Sequence, residues 1–229
     1  MKLEFSPLIN SADQKVVIAS HSFNRWLKEA KKAYTLQRIR IDSVDMVVRN
    51  GRPFPLFIKA RCLAIAPTGE SYDHTVLIRG LAVAILVVLI CENRKYLLLV
   101  EQSRLPIASP SFLEIPAGML DESDDSAAVA IKELSEETGL AVEKSQLKLL
   151  HPALATSCGI LDEKVALYAV EISVNVAELE KFKNRKQSYD EENENIITRV
   201  IPYEKAAEVF LDSKGIAALY FYEKLRSGE

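Results

Sequence analysis

The run 81–91, LAVAILVVLIC, is apolar without a break, and it constrains the fold of this chain more than any other stretch. A half-exposed strand alternates apolar and polar residues, so a strand with no polar side is covered on both faces. The rest of the chain must supply those covers. At eleven residues the run is also well short of the roughly 18–20 that cross a bilayer as a helix.

Segments 75–79 and 96–102 flank this run and read as strands, and 112–116 as a short strand leading into a glycine-containing turn. Further strands are predicted over 147–155, 164–174 and 196–202, with helices over 125–138 and from about residues 203 and 214. Before residue 75, Phe23, Trp26, Leu27 and Ala30 fall at i, i+3, i+4 and i+7, which predicts a helix over 22–34 with Trp26 as a packing anchor. Two extended stretches, 35–48 and 54–66, are separated by Asn50-Gly51, a hairpin turn signal. The polar, highly charged segment 184–195 predicts a mobile surface loop. The class is α+β: a mixed sheet with helices packed around it, preceded by a small N-terminal helix and antiparallel sheet. The expected division is an N-terminal region, 1–74, and a larger domain, 75–229.

Composition closes several function classes. The 229 residues carry 29 basic and 32 acidic side chains, a net charge of −3. General nucleic-acid or anionic-membrane binding needs an excess of Lys and Arg, which is lacking. Cys62, Cys91 and Cys158 have no metal-ligand spacing, and neither do His21, His74 and His151. Lys2 and Glu4 interrupt the N-terminus before any apolar stretch, unlike a signal peptide. The expectation is a reduced, intracellular, cytoplasmic protein, with an organelle left open if a presequence has been removed. No nucleotide-fold glycine fingerprint, P-loop or serine-nucleophile elbow occurs.

Chemistry concentrates in 118–140, GMLDESDDSAAVAIKELSEETGL. Asp124 and Asp125 suit a helix N-terminus, Ala127, Ala130, Ile131 and Leu134 form one apolar stripe, and Gly139 stands where a helix-ending glycine belongs. Glu133, Glu136 and Glu137 then share one face. Like charges so placed repel. Lys132 can pair with Glu136 but cannot neutralise all of them, whereas a hard divalent cation such as Mg2+ suits oxygen ligands. A solvated acidic face is the other reading of these residues alone.

The spacing decides between them, because it resembles the Nudix box, G-x5-E-x7-R-E-U-x-E-E-x-G-U with U apolar. Gly118 opens it, Asp124 stands for the first glutamate, Lys132 for the arginine, and Glu133-Leu134, Glu136-Glu137 and Gly139-Leu140 fill the remainder. Glu101-Gln102-Ser103-Arg104-Leu105-Pro106 and the stretch Leu113 to Asp121 are similar to the ADP-ribose/ADP-sugar pyrophosphatase branch of that family. Trp26-Leu27-Lys28 and Asp45-Met46 are similar to plant-type ADP-sugar diphosphatases. The resemblance implies a Nudix α/β/α sandwich and Mg2+-dependent (or Mn2+-dependent) cleavage of ADP-ribose or ADP-glucose to AMP and a sugar phosphate. UDP-sugar cleavage, or a catalytically silent nucleotide-binding domain, are the rival readings.

It also implies residue roles. Metal ligands are Glu133, Glu136, Glu137 and the carbonyl of Ala117; catalytic residues are Glu136 with Glu192 and Glu194, the last two as candidate bases. Arg79, Arg104 and Glu114 bind substrate, with pairing of Glu114 to a nearby arginine as the alternative. A homodimer, with the N-terminal region helping to build the partner's nucleotide pocket, completes the expectation.

Overall fold

The computed structural model describes residues 1–49, 51–189 and 194–228, without the side chains of 187–189 and 194. In chain order the elements are β1 (Lys2–Phe5), α1 (Ser11–Ala19), α2 (His21–Ala33), β2 (Thr35–Arg49), β3 (Arg52–Ile65), β4 (Ser71–Ile78), β5 (Ala82–Cys91) and β6 (Arg94–Arg104). There follow β7 (Ser109–Glu114), β8 (Ala117–Met119), α3 (Ser126–Thr138), β9 (Lys148–Ala155), β10 (Lys164–Ser173), α4 (Val176–Phe182), β11 (Lys186–Tyr189), β12 (Glu194–Pro202), α5 (Ala206–Val209) and α6 (Ser213–Ser227). They form two compact units, Met1–Leu81 with Ala155–Lys164, and Ala82–Leu154 with Val165–Glu229. No described helix is long and apolar enough to cross a membrane.

In the first unit the sheet order is β1-β2-β3-β4. β2, β3 and β4 pair antiparallel, as the hairpin signal requires, but β1 joins β2 in parallel. Two helices precede β2 where the periodicity marks only one. α1 has a single buried residue, Val17, so it leaves no apolar stripe to read. Its definition comes from its ends: Asn10 accepts from the amides of Ala12 and Asp13, and Ser20 then caps α2 by accepting from Phe23 N–H. Val17 and Phe23 pack with Ile39, Ile41, Ile58 and Ile78, and Trp26 lies against this core 6.1 Å from the Phe23 ring.

The second unit is built on β5. The sheet order is β11-β12-β6-β5-β10-β9, with β7 on β6 and β8 on β5. β10 runs parallel to β5 while β6 and β8 run antiparallel to it, so the sheet is mixed. Ala82, Ala84, Leu86 and Val88 cluster with Ala218 and Tyr222 of α6. Val83, Ile85, Val87 and Leu89 are as buried, and alternation turns them to the opposite face. α3 contacts β5 and buries Ala127, Ala130 and Leu134, none of which belongs to the α6 cluster, so it covers that opposite face. The unbroken apolar run is explained by these covers.

The segment predicted as a loop over 184–195 is in part a hairpin. β11 pairs antiparallel with β12, Gln187 opposite Ile196 and Ser188 opposite Asn195. β11 is an edge strand, where polar and lysine-bearing sequence discourages further pairing and conceals the strand from a hydrophobicity reading. α4 is likewise unforeseen: a capping box between Asn175 and Glu178 sets its start, and Leu179 alone is buried.

α3 carries the chemistry, and Leu134, fully buried, ties it to the unit. Leu134→Ala is expected to destabilise the protein by about 2–5 kcal/mol in urea unfolding. A loss under about 1 kcal/mol would mean that α3 is not packed as described.

Candidate functional site

α3 is held at both ends before its acidic face is considered. Asp125 accepts from Ala128 N–H at the N-cap and meets Lys144 Nζ at 2.9 Å; Lys144, then the Ala128 amide, holds its carboxyl below the usual range. At the other end Gly139 has φ +73°, the left-handed conformation that glycine adopts at least cost, and donates to Ser135 O. A side chain at Gly139 would also meet Arg185, whose guanidinium lies 2.4 Å from the position a Cβ would take. Arg185 donates to Thr138 O at 3.5 Å and its amide to Thr198 Oγ1 at 3.2 Å, so the root of the β11–β12 hairpin is fastened to the end of α3.

The glutamates sit where α3 meets β8. Glu137 is buried and accepts from Ala117 N–H at 3.0 Å. Glu133 lies across Gly118, so close that a Cβ there would stand 2.1 Å from the Glu133 Cδ. Gly118 is required for this approach, since any larger residue would occupy the space of the carboxylate. Lys132 Nζ stands 3.0 Å from Glu136 Oε2 and 4.0 Å from Glu133 Oε1. The structure thus sets Glu137 against Ala117 and Glu133 against Gly118, with Lys132 standing between Glu133 and Glu136; it is the Ala117 N–H that meets Glu137.

These residues suit a hard cation in kind. They offer carboxylate oxygens, and an ammonium group already stands beside two of them as a cation would. Among the described residues, however, no three His, Cys, Asp or Glu side chains converge as a ready-made metal cluster. Of the two candidate bases, Glu192 lies outside the described residues, and Glu194 opens β12 with its side chain undescribed. β12 places Ile197 opposite Glu101 and runs antiparallel to β6, so the start of β12 lies toward the Arg104 end of β6.

Arg104 and Glu114 form a second cluster in the same unit. Arg104 Nε and Nη2 both meet Glu114 Oε1 at 2.6 Å. Glu114 is 2% exposed, and its other oxygen is 3.3 Å from Lys214 Nζ. Of the two sequence readings for Glu114, the structure displays the pairing with arginine. Burial pushes the Lys214 ammonium pKa down, but Asp212 and Glu114 outweigh it and raise the pKa above its ordinary value. Spacing gave no hint of Lys214, which lies a hundred residues from Glu114.

Arg79 belongs to the first unit. Its Nη1 is 2.5 Å from Glu163 Oε2, its guanidinium lies 5.6 Å from the centre of the Phe57 ring, and its amide donates to Asp162 Oδ1. Thr156 donates to the other oxygen of Glu163, so that buried carboxylate is satisfied on both sides. Burial raises the Asp162 carboxyl pKa, with the Arg79 and Gly80 amides opposing. Neither acid was a sequence candidate, since no local pattern links residues more than eighty positions apart. Cys62, Cys91 and Cys158 are unpaired thiols, and burial, then Asp73 and Asp42, pushes Cys62 up to about 11, as suits an inert core residue.

A family model described as the NUDIX domain matches residues 80–220. "Nudix hydrolase 14, chloroplastic" of Arabidopsis thaliana is 29% identical over 94% of this chain and 74% of its own length. The "ADP-ribose pyrophosphatase" of Bacillus subtilis is 34% identical over 47% of this chain and 55% of its own length. The "Methanol dehydrogenase activator" of Bacillus methanolicus is 33% identical over 46% of this chain and 53% of its own. A crystal structure of an "ADP compounds hydrolase" superposes with TM-score 0.55 and 18% identity, over 85% of this chain and 97% of that one, which shows a shared fold.

Gly118→Ala tests the contact between β8 and α3. Its methyl group must displace Glu133, and misplacing a reacting or binding group by about 1 Å costs on the order of a hundredfold in turnover. Hydrolase turnover is expected to fall by about that factor while circular dichroism stays native. Unchanged turnover would show that Glu133 does not need its place against Gly118.

Proposed function

The chain belongs to the Nudix family, and on that premise we propose that it hydrolyses the pyrophosphate bond of ADP-sugars, ADP-ribose and ADP-glucose, with Mg2+ as cofactor and Mn2+ as a substitute. The observation that carries this reading is the glutamate face of α3 lying against Ala117 and Gly118, inside the stretch that matches the family. The adenine nucleotide rests on the named activities of two similar proteins and on the motifs around Arg104 and Glu114.

The charge problem defines the task. A pyrophosphate carries negative oxygens that repel an incoming hydroxide, and bound divalent metal supplies neutralisation and a water of lowered pKa. Glu133, Glu136, Glu137 and the Ala117 carbonyl are the residues to hold it, on a helix that fixes their spacing. Arg104, anchored by Glu114, presents a cation to the diphosphate. Glu192 or Glu194 takes the proton of the attacking water. The water oxygen joins one phosphorus as the bridging P–O bond breaks, which leaves AMP and a sugar phosphate. Homodimerisation through residues 1–74 belongs to the same proposal, and a monomer in size-exclusion chromatography with multi-angle scattering would remove it.

Purified protein is to be given Mg2+ and a panel of ADP-ribose, ADP-glucose, UDP-glucose and a dinucleoside polyphosphate, with products identified. AMP release from the ADP-sugars, abolished by a chelator and restored by Mg2+, is expected. UMP release far above AMP release would assign the site to UDP-sugars instead. Turnover of none of them would leave a silent nucleotide-binding domain. Glu136→Gln is expected to lower turnover by about 10–100-fold with the fold intact, and wild-type activity in that variant would mean the site is misplaced.

A further inference from the structure

Lys132 stands on an acidic face that it cannot neutralise. Its ammonium is 3.0 Å from Glu136 Oε2 and 4.0 Å from Glu133 Oε1, so one charge serves two carboxylates. The Glu133 and Glu136 side chains are 17% and 24% exposed, while that of Lys132 is 65% exposed. A cation so exposed can leave without disturbing the packing beneath. The pairing is also in the weaker order: a glutamate four residues before a lysine pairs better on a helix than the reverse, and here the lysine comes first. Exposed pairs of this kind contribute little net free energy. The helix that carries the carboxylates is anchored, with Leu134 in the core and Glu133 lodged against Gly118.

We propose that Lys132 is a displaceable counter-ion: its ammonium stands at Glu133 and Glu136 until a divalent cation takes the same carboxylates, and it then moves out to solvent. The proposal rests on the reading of these glutamates as metal ligands. An ammonium suits the part, being a compact point charge with three donors on a flexible stem. A guanidinium, which the family pattern places at this position, grips a carboxylate through a rigid two-donor fork and so orients it. Lysine gives up that orientation. It offsets part of the repulsion among the carboxylates while no metal is bound. It yields because an ammonium and a divalent ion between the same two carboxylates would repel each other strongly. Metal affinity is therefore set by the exchange of one cation for another.

A lysine that orients the ligands and one that is displaced by the metal predict opposite signs. Protein stripped of metal by a chelator is to be titrated with Mn2+, free ion being read by electron paramagnetic resonance, in wild type, Lys132→Met and Lys144→Met. Lys144, which pairs with Asp125 at the N-terminal end of α3, controls for the loss of one positive charge. Lys132→Met is expected to bind Mn2+ about threefold to tenfold tighter than wild type, and Lys144→Met to stay within about twofold of it. In wild type, acetylation of Lys132 by acetic anhydride, read by mass spectrometry, is expected to speed up about twofold to fivefold with Mg2+, the factor of one exposed ion pair. Equal or weaker Mn2+ binding in Lys132→Met overturns the proposal, and so does an equal gain in Lys144→Met. So does a Lys132 acetylation rate that Mg2+ leaves unchanged or lowers, or wild-type Mn2+ binding that Glu136→Gln does not weaken. If the wild-type protein binds Mn2+ at these glutamates yet cleaves no pyrophosphate, the functional reading fails, while the same two measurements still decide for or against Lys132.

Discussion

Carboxylates at Glu133, Glu136 and Glu137 repel one another across one helix face, and the arrangement of the second unit is governed by holding them there nonetheless. The opposite side of α3 is anchored by Ala127, Ala130 and Leu134 beneath β5, so hydrophobic burial outweighs a repulsion worth only tenths of a kcal/mol per pair. The acidic side is received by β8 in two ways. A backbone amide meets Glu137, and the missing side chain of Gly118 leaves room for Glu133. The helix therefore presents charge without being dismantled by it.

Much of this was legible in the sequence because it depends on local spacing. The unbroken run around Val87 announced a strand covered on both faces, and Gly118, Glu133, Glu136 and Glu137 declared themselves by their intervals. What stayed hidden is of two kinds. Elements with almost no buried residues, such as α1 with Val17 and α4 with Leu179, leave no periodic stripe and are set by caps instead. Charge partners distant in sequence, Lys214 for Glu114 and Glu163 for Arg79, obey no interval, because the fold alone makes them neighbours. Glu114 shows the difference well. Its importance could be read from its motif, but the arginine it meets stands opposite Ser109 in the β6–β7 pairing, not opposite Glu114, so strand register alone does not link the two.

The net charge of −3 reads differently once the acids are placed. Many of them are spent on particular cations: Glu114 on Arg104 and Lys214, Glu163 on Arg79, Glu101 on Arg199. The Glu101 carboxyl is held below its usual range by Arg199 and then by Ser111. Such pairs orient arginines more than they stabilise the chain, since part-exposed pairs contribute little net free energy. The molecule uses acidity to aim its bases.

Gly139 and Arg185 have a consequence for how this sequence can drift. The glycine has a left-handed backbone, and the arginine occupies the volume that any side chain there would need. A substitution at residue 139 is penalised by its backbone whatever the space around it, whereas the steric half is relieved when the long Arg185 side chain swings aside. Such a movement releases the Arg185 guanidinium from Thr138 O, while the Arg185 backbone amide keeps its bond to Thr198 Oγ1. The conformational half has no such release, so drift at position 139 is limited by its own backbone and not by its neighbour.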